Sequence, residues 1–465
     1  MVNDARVAVI GIDCGTPQLL FDDLKADVPN LAGLMERSMY GPLSSITPPI
    51  TVPAWACSMT GKTPGQLGVY GFRNRKDHSY EGLTIATADA IKEPTVWDRL
   101  GEVGKKSLLI GVPPSYPPLP IEGWRVGCFL TPPSAKSYAS PSEIEGEIEE
   151  ELGGPGQYIF DIPNFRQAGM ERVMNDVFAM TERRFKVARR LVQNKPWDYF
   201  MMCEIAADRL HHVFWEYYDP EHPKYRSGNE FEGMFQKYYR MLDEELGELL
   251  VVLPDDAVLI VMSDHGARRM VGGICFNDWL RREGYLTLVT EPTEVIPIKK
   301  AEIDWSKTVA WGDGGYYGRC FLNVKDREPR GVVEPAEYEH LRDELASALE
   351  AAPGPDGEPL GTKVFKPQDI YPDVRGVAPD LIVYFGDLDW RSVGTVGNAS
   401  IYTYENDTGP DGANHDRAGI FVMKGVPNQP MGYTERMRLI DVGPTILGIY
   451  EMEPTEGAQG RSMLL

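Results

Sequence analysis

Carboxylate and imidazole side chains stand beside several apolar segments of this 465-residue chain, where buried strands are expected to end or begin. Such side chains are ligands that zinc-like ions prefer in proteins. Each one alone also fits an ordinary role as a helix cap, a turn residue or a surface pair. Together they favour a metal site. They are Asp13, Asp208, His212, Asp264, His265 and His415.

The spacing of Asp208 and His212 supports this interpretation. They lie four residues apart in a segment that is compatible with a helix. This spacing places both side chains on one face of the helix, where they can bind the same ion. The neighbouring His211 is interpreted as a flanking residue or as part of a substrate wall.

The segment SITPPITVPAWACSMTGK, residues 45–62, is unusually rich in threonine and proline. It has too much proline for a helix interior and too many hydroxyl groups for a plain buried strand. Thr51 stands directly before a helix-compatible run, so it could be the N-cap of that helix. Its hydroxyl is a poor nucleophile unless a metal ion or a base removes the proton.

The strands and helices that position these residues are indicated by apolar runs that alternate with helical patterns. This alternation predicts an α/β fold with a largely parallel sheet that is covered by helices on both faces. In such sheets, function gathers beyond the carboxyl ends of the strands. The main predicted strands are 6–13, 106–112, 197–205, 257–266, 380–385 and 419–425, and the main predicted helices are 30–38, 170–194, 231–253, 337–351 and 441–450.

Composition excludes several classes of partner. Lys and Arg number 47 against 69 Asp and Glu, a formal net charge of −22. Such an acidic chain is not expected to bind duplex nucleic acid or an anionic membrane. We find no targeting signal and no apolar run long enough to span a bilayer. Six scattered cysteines without a CxxC motif indicate reduced thiols in a cytoplasmic protein. The oligomeric state stays open.

Seven parts of the sequence resemble the type I phosphodiesterase/nucleotide pyrophosphatase family, which belongs to the alkaline phosphatase superfamily. The resemblance covers almost the whole chain, and its most specific parts are TVPAW…TG and DHG. The matching parts are GID at 11–13, PNLAGLMERS at 29–38, PPITVPAWACSMTGKTPGQLGVYGF at 48–72, DRLHHVFW at 208–215, SDHG at 263–266, NHDRAGIF at 414–421, and DVGPTI with GRSM at 441–446 and 460–463.

The resemblance implies an alkaline-phosphatase-like fold: a mostly parallel central sheet with helices on both faces and cap-like insertions. We expect one catalytic domain over 1–465, with insertions near 113–170 and 276–400. The implied activity is hydrolysis of a phosphodiester or pyrophosphate bond in a small substrate, which could be a nucleotide. The reaction would pass through a phosphothreonine intermediate.

The resemblance also assigns roles to residues. Thr51 would be the nucleophile, at a helix start where N–H groups and the helix dipole could face a phosphoryl oxygen. Two divalent metal ions are implied, zinc or alternatively manganese. One ion would be bound by Asp208, His212 and His415, and the other by Asp13, Asp264 and His265 with the Thr51 oxygen.

The contacts to the substrate depart from the pattern of the family. Pyrophosphatases of this family place an asparagine after the nucleophile segment, where it contacts a phosphate oxygen. Asn74 is near that position but offset, between Arg73 and Arg75. Arg73 and Asn74 are therefore the predicted substrate-binding residues, because a guanidinium group also suits phosphate.

The same residues also bear on other activities of the superfamily. Sulfatases need a modified cysteine or serine followed by an arginine, whereas here Thr51 and Trp55 occupy those places. Phosphoglycerate mutases use a serine and another ligand pattern. Phosphomonoester or phosphonate hydrolysis on the same two-metal site stays an alternative. A degenerate metal-binding scaffold is disfavoured because no candidate ligand or nucleophile is missing.

Overall fold

A ten-stranded sheet forms the centre of the computed structural model, which describes residues 5–464. In chain order the strands are β1 (Val7–Ile12), β2 (Met39–Ser44), β3 (Arg73–Arg75), β4 (Leu83–Ile85), β5 (Ser107–Ile110), β6 (Gly123–Val126), β7 (Ala139–Ser140), β8 (Tyr199–Glu204), β9 (Val258–Met262), β10 (Gly266–Arg269), β11 (Gly272–Cys275), β12 (Ile296–Pro297), β13 (Ala310–Asp313), β14 (Gly318–Leu322), β15 (Lys363–Phe365), β16 (Leu381–Tyr384), β17 (Trp390–Val393), β18 (Thr395–Val396), β19 (Tyr402–Thr403), β20 (Ala413–Asp416), β21 (Ala418–Lys424), β22 (Gly432–Tyr433) and β23 (Met437–Arg438).

Twelve α-helices accompany these strands in the described part of the chain. They are α1 (Pro29–Met35), α2 (Thr51–Thr60), α3 (Pro64–Leu67), α4 (Val96–Glu102), α5 (Ile144–Leu152), α6 (Met170–Asn194), α7 (Ala206–Tyr218), α8 (Met234–Val252), α9 (Phe276–Arg282), α10 (Tyr338–Glu350), α11 (Pro367–Ile370) and α12 (Val442–Ile449). Within residues 5–464, none of the helices combines the length and the apolar character that crossing a bilayer requires.

The central sheet has the order β22–β2–β21–β9–β1–β8–β5–β6–β7, and β23 also pairs with β2. Strand β1 runs parallel to both of its neighbours, β8 and β9, and β5 runs parallel to β8 and β6. Strand β21 instead runs antiparallel to β9 and β2. The predicted α/β class with a mostly parallel sheet is confirmed.

Helices cover both faces of this sheet, as the side chains of β1 show. Ala8, Ile10 and Ile12 belong to one apolar core, together with residues of α6, α7 and α8. Val7 and Val9 point to the other face, where they share a core with residues of α2, α4 and α12. All six residues of β1 are buried, because the strand is covered on both sides.

The parallel register brings the carboxyl ends of β1, β8 and β9 together. Ile12 is the register partner of Glu204, and Gly11 is the partner of Met262. The residues that follow these three strands therefore meet at one edge of the sheet. This edge carries the candidate site.

The two ranges predicted to be insertions differ in structure. Residues 276–400 include a separate four-stranded sheet, β13–β14–β16–β15, with its own apolar core. The predicted strand at 380–385 is observed as β16 in this second sheet. Residues 113–170 instead supply β6 and β7 to the edge of the central sheet. The division into one domain with two insertions stays a prediction.

Candidate active site

Six buried side chains converge beyond the carboxyl ends of β1, β8 and β9. They form two groups, and the potential ligand atoms of each group lie within 4.8 Å of one another. The structure thus brings together the carboxylates and imidazoles that the sequence singled out. The first group is Asp208, His212 and His415, and the second group is Asp13, Asp264 and His265.

The first group is built around one carboxylate oxygen. Asp208 Oδ1 lies 3.2 Å from His212 Nε2 and 3.5 Å from His415 Nε2. The two Nε2 atoms are 3.3 Å apart. Helix α7 supplies Asp208 and His212 at the predicted four-residue spacing, while β20 supplies His415.

The second group is built around one imidazole nitrogen. His265 Nε2 lies 3.2 Å from Asp264 Oδ2 and 3.7 Å from Asp13 Oδ1. Asp13 directly follows β1, and Asp264 and His265 lie between β9 and β10. The position of each side chain therefore depends on where its strand ends.

Each histidine of the two groups donates a hydrogen bond from Nδ1 to an oxygen atom. These contacts place a proton on Nδ1 of each ring and turn Nε2 toward the group, where an unprotonated Nε2 would offer its lone pair to a cation. The acceptors are Asp411 Oδ1 for His212 at 2.9 Å, the Pro49 carbonyl for His415 at 2.7 Å, and the Gly266 carbonyl for His265 at 3.1 Å.

In each of the three carboxylates, one oxygen accepts a hydrogen bond and the other does not. Asp13 Oδ2 accepts from Trp55 Nε1 at 2.7 Å, Asp208 Oδ2 accepts from Arg209, and Asp264 Oδ1 accepts from the Cys14 amide at 3.4 Å. The other three oxygens, Asp13 Oδ1, Asp208 Oδ1 and Asp264 Oδ2, are buried without a hydrogen-bond partner among the described residues. Such oxygens are costly unless a cation binds them, so the residues fit divalent metal ions.

The pKa values of the buried carboxylates also favour bound cations. Burial, and next to it the Asp208 charge, raises the pKa of Asp13 well above its usual value. Burial and the Asp13 charge raise the pKa of Asp264 in the same manner. Bound cations would compensate these crowded negative charges.

Thr51 lies beside the second group. It is the first residue of α2, it is 8% exposed, and its Oγ1 lies 3.1 Å from His265 Nε2. The N-cap of α2 is Ile50, which has extended backbone angles and no capping side chain. Thr51 is therefore not the N-cap. The first N–H groups of α2 receive no side-chain cap, so they can bind an oxyanion.

The structure does not place Arg73 and Asn74 in contact with the two groups within residues 5–464. The Asn74 amide holds a turn, accepting from the Tyr70 amide at 2.8 Å and donating to the Gly71 carbonyl at 2.9 Å. The Arg73 side chain is exposed and lies over the Phe72 ring. The substrate-binding role of Arg73 and Asn74 stays a prediction.

Sequence reasoning missed the residues that hold the ligands. Trp55, Arg209 and Asp411 contact ligand side chains, but no spacing connects Asp411 to His212 across 199 residues. The interpretation of His211 as part of a substrate wall is wrong. His211 is fully buried, its Nε2 lies 2.7 Å from the Tyr239 hydroxyl, and its ring stacks on Phe235.

Known structures share the fold over nearly full length. Human ectonucleotide pyrophosphatase/phosphodiesterase 5 is 13% identical, with a TM-score of 0.54, and the match covers 98% of this chain and 97% of that chain. Phosphonoacetate hydrolase from Sinorhizobium meliloti, in complex with phosphonoacetate, is 15% identical with a TM-score of 0.62 and 96% of each chain covered.

A third structure is an inactive threonine-to-alanine variant of the murine ectonucleotide pyrophosphatase/phosphodiesterase 5 in complex with AMP. It is 13% identical to this chain, has a TM-score of 0.53, and the match covers 97% of this chain and 96% of that chain. A search of curated protein sequences found no significant match.

A family comparison of the sequence gives the assignment. The sequence model described as type I phosphodiesterase/nucleotide pyrophosphatase matches residues 7–411, which include five of the six group residues and Thr51. His415 lies just beyond the matched range, although the structure places it against Asp208 and His212. The chain belongs to the type I phosphodiesterase/nucleotide pyrophosphatase family of metal-dependent hydrolases.

Proposed function

We propose that this hydrolase cleaves a phosphodiester or pyrophosphate bond of a small substrate, with Thr51 as the nucleophile. The observation that carries the proposal is the position of Thr51 Oγ1. It lies at the uncapped N-terminus of α2 and 3.1 Å from His265 of the second group. The inactive threonine-to-alanine variant of the murine relative is consistent with such a role.

Two divalent ions are part of the proposal. The first group would hold one ion, and the second group, with the Thr51 oxygen, would hold the other. We propose zinc, because imidazole and carboxylate ligands suit it, although manganese is compatible with the same set. When bound, such ions supply Lewis-acid polarisation of the phosphoryl oxygens and a lower pKa of a nearby hydroxyl.

The chain itself would do the following. The Thr51 hydroxyl releases its proton to solvent, and its oxygen attacks phosphorus. The bond from phosphorus to the leaving oxygen breaks, and the leaving group departs with its electron pair and takes up a proton from solvent. The N–H groups at the start of α2 hold a non-bridging oxygen as negative charge builds up. Water then cleaves the phosphothreonine ester and restores the Thr51 hydroxyl.

The charges around the site favour a diester over a monoester. Three ligand carboxylates against two divalent cations leave about one net positive charge, which suits a monoanionic diester better than a dianionic monoester. Arg209, the arginine that contacts the first group, is already paired with Asp161 and Asp208. Trp55, next to the nucleophile in α2, adds no charge.

A parallel assay tests this preference. An aryl phosphodiester and the matching aryl monoester are compared in the presence of zinc or manganese. We expect a higher kcat/KM for the diester. A clear preference for the monoester would overturn the diesterase proposal and indicate a phosphatase on the same scaffold.

Phosphonate hydrolysis is a second candidate. The structure of a phosphonoacetate hydrolase resembles this chain with a TM-score of 0.62, against 0.54 for the human pyrophosphatase relative. Phosphonoacetate is therefore a third substrate in the same assay. Turnover of phosphonoacetate above that of both esters would favour this candidate.

We further propose a cytoplasmic location and no binding of duplex nucleic acid. All six cysteines are buried free thiols, which is typical of a reducing compartment. The net charge of −22 opposes binding to polyanions.

A further inference from the structure

Asp411 is a buried carboxylate that stands directly behind one ligand of the first group. Its side chain is fully buried. Oδ1 accepts from His212 Nδ1 at 2.9 Å, and Oδ2 accepts from Arg166 Nε at 2.7 Å and from the Tyr316 hydroxyl at 3.1 Å. Oδ1 also accepts from the Ala413 amide at 3.4 Å. A buried charge is costly unless it is paired, so these four partners fix the position of Asp411.

We propose that Asp411 is a positioning residue that selectively sets the metal affinity of the first group. It would do so by keeping the His212 proton on Nδ1 and the His212 lone pair directed at the ion. The inference rests on the proposed binding of one divalent ion by each group.

The selectivity follows from the acceptors of the three histidines. His415 and His265 donate to uncharged backbone carbonyls, those of Pro49 and Gly266. Only His212, among these three, donates to a carboxylate. A carboxylate behind the imidazole makes Nε2 a stronger ligand and fixes the orientation of the ring.

Asp411 is itself fixed by the surrounding side chains. Arg166 contacts both Asp411 and the Tyr316 hydroxyl. The Tyr316 ring stacks on His212 with centroids 4.7 Å apart and an interplanar angle of 7°, and it also packs on His415 at 4.3 Å. This packing leaves the carboxylate little freedom to turn away from His212.

The substitution Asp411→Asn tests the carboxylate with little change of shape. His212 Nδ1 keeps another acceptor, the Ala413 carbonyl at 3.1 Å, so the ring is not left without a partner. The change removes the negative charge next to His212, and with it the acceptor of Arg166 and Tyr316. Asp407→Asn is the matched control, since Asp407 lies in the same loop and pairs with Arg391 at 3.1 Å without touching His212.

The experiment is a zinc titration of the metal-free full chain at a pH above 9, where release of a proton from His212 no longer affects binding, in competition with a chromophoric chelator. For wild-type protein and Asp407→Asn we expect two tight ions. For Asp411→Asn we expect one ion to bind about 10–100-fold more weakly, the usual effect of losing such a supporting group, and the other ion to be unchanged. Tyr316→Phe keeps the ring stack but removes one donor to Asp411, so it should weaken the same ion by less.

Three results contradict the inference. Equal affinity of both ions for Asp411→Asn and wild-type protein would overturn it while leaving the two-metal proposal intact. Equal weakening of both ions would show a general structural role instead of a selective one. Wild-type protein that binds no zinc would overturn the two-metal proposal itself, and the inference with it. Tyr316→Phe provides the same comparison if Asp411→Asn does not fold.

Discussion

The protonation state of His212 depends on the carboxylates that surround it. Burial lowers the pKa of His212, but the charges of Asp411 and Asp208 outweigh burial and raise that pKa to about 9. Burial dominates at the other two histidines and lowers the pKa of His265 and His415. The first group thus keeps a proton at neutral pH that a cation must displace.

This proton predicts a pH dependence of metal binding. Below about pH 9, the metal-free His212 ring carries a proton on Nε2, so binding of an ion to the first group releases it. The apparent affinity of the first group should therefore rise with pH, by up to about tenfold per pH unit, and level off near pH 9. Chelator competition at pH 7, 8 and 9 measures it. An affinity that does not change over this range contradicts the prediction.

The ligand types could be predicted from the sequence at this scale, but their supporting atoms could not. Asp208 and His212 reveal themselves by a four-residue spacing. Asp411 has no comparable signal, because only the folded chain brings it to His212. For Asn74 the residue type suggested a role that its contacts do not show. An asparagine suits a phosphate contact, but its amide is hydrogen-bonded to Tyr70 and Gly71 in a turn.

The contact between β1 and α2 places the ligand Asp13 next to the helix of Thr51. Trp55 is fully buried, and its Nε1 donates to Asp13 Oδ2 at 2.7 Å. The indole fits because the facing strand residue is Gly11. A Cβ atom at Gly11 would lie 2.5 Å from Trp55 Cη2 and 3.0 Å from the Met202 carbonyl oxygen.

Gly11→Ala should therefore destabilise the protein, because a rigid buried ring and a backbone atom both block the added methyl group. We expect a loss of about 1–3 kcal/mol in the free energy of unfolding, measured by urea denaturation. Combined with Trp55→Phe, which frees space near Cη2, the loss should be smaller than the sum of the single losses.

Gly33→Ala is the matched control for this prediction. Gly33 lies in α1, and a Cβ atom there would have no neighbour within 4 Å. Because alanine favours a helix more than glycine, this change should be neutral or slightly stabilising. Strictly additive effects of Gly11→Ala and Trp55→Phe would refute the proposed contact.

Helices and strands could be predicted from the sequence where the pattern of apolar residues extends over many positions. The 25-residue helix α6 is observed at the predicted bounds 170–194, and the strands at 197–205 and 257–266 are observed as the shorter β8 and β9. The sheet to which a strand belongs could not be predicted. Strand β16 is as apolar as the central strands, but its partners β14 and β15 lie in the separate antiparallel sheet.

For the whole molecule, the central sheet determines where the site lies and the rest of the chain determines what covers it. Continuous apolar strands predicted the sheet, and the parallel pairing of β1 with β8 and β9 brings the ends of these strands together. The surroundings of the site come from distant parts of the chain, as Arg166 and Tyr316 around Asp411 show. Such long-range contacts carry no local signal in a single sequence.

The phosphothreonine mechanism is tested most directly by kcat/KM for a phosphodiester with Thr51→Ala, measured on protein whose metal content is determined by elemental analysis. We expect wild-type protein and the variant to hold about two zinc ions, since only one ligand atom is lost. The variant should lose at least about 10⁴-fold in kcat/KM, the order expected when a covalent nucleophile is removed. Thr51→Ser keeps the oxygen and should retain part of the activity. A metal-loaded Thr51→Ala protein with a near-wild-type rate would contradict the phosphothreonine mechanism and make water the direct nucleophile.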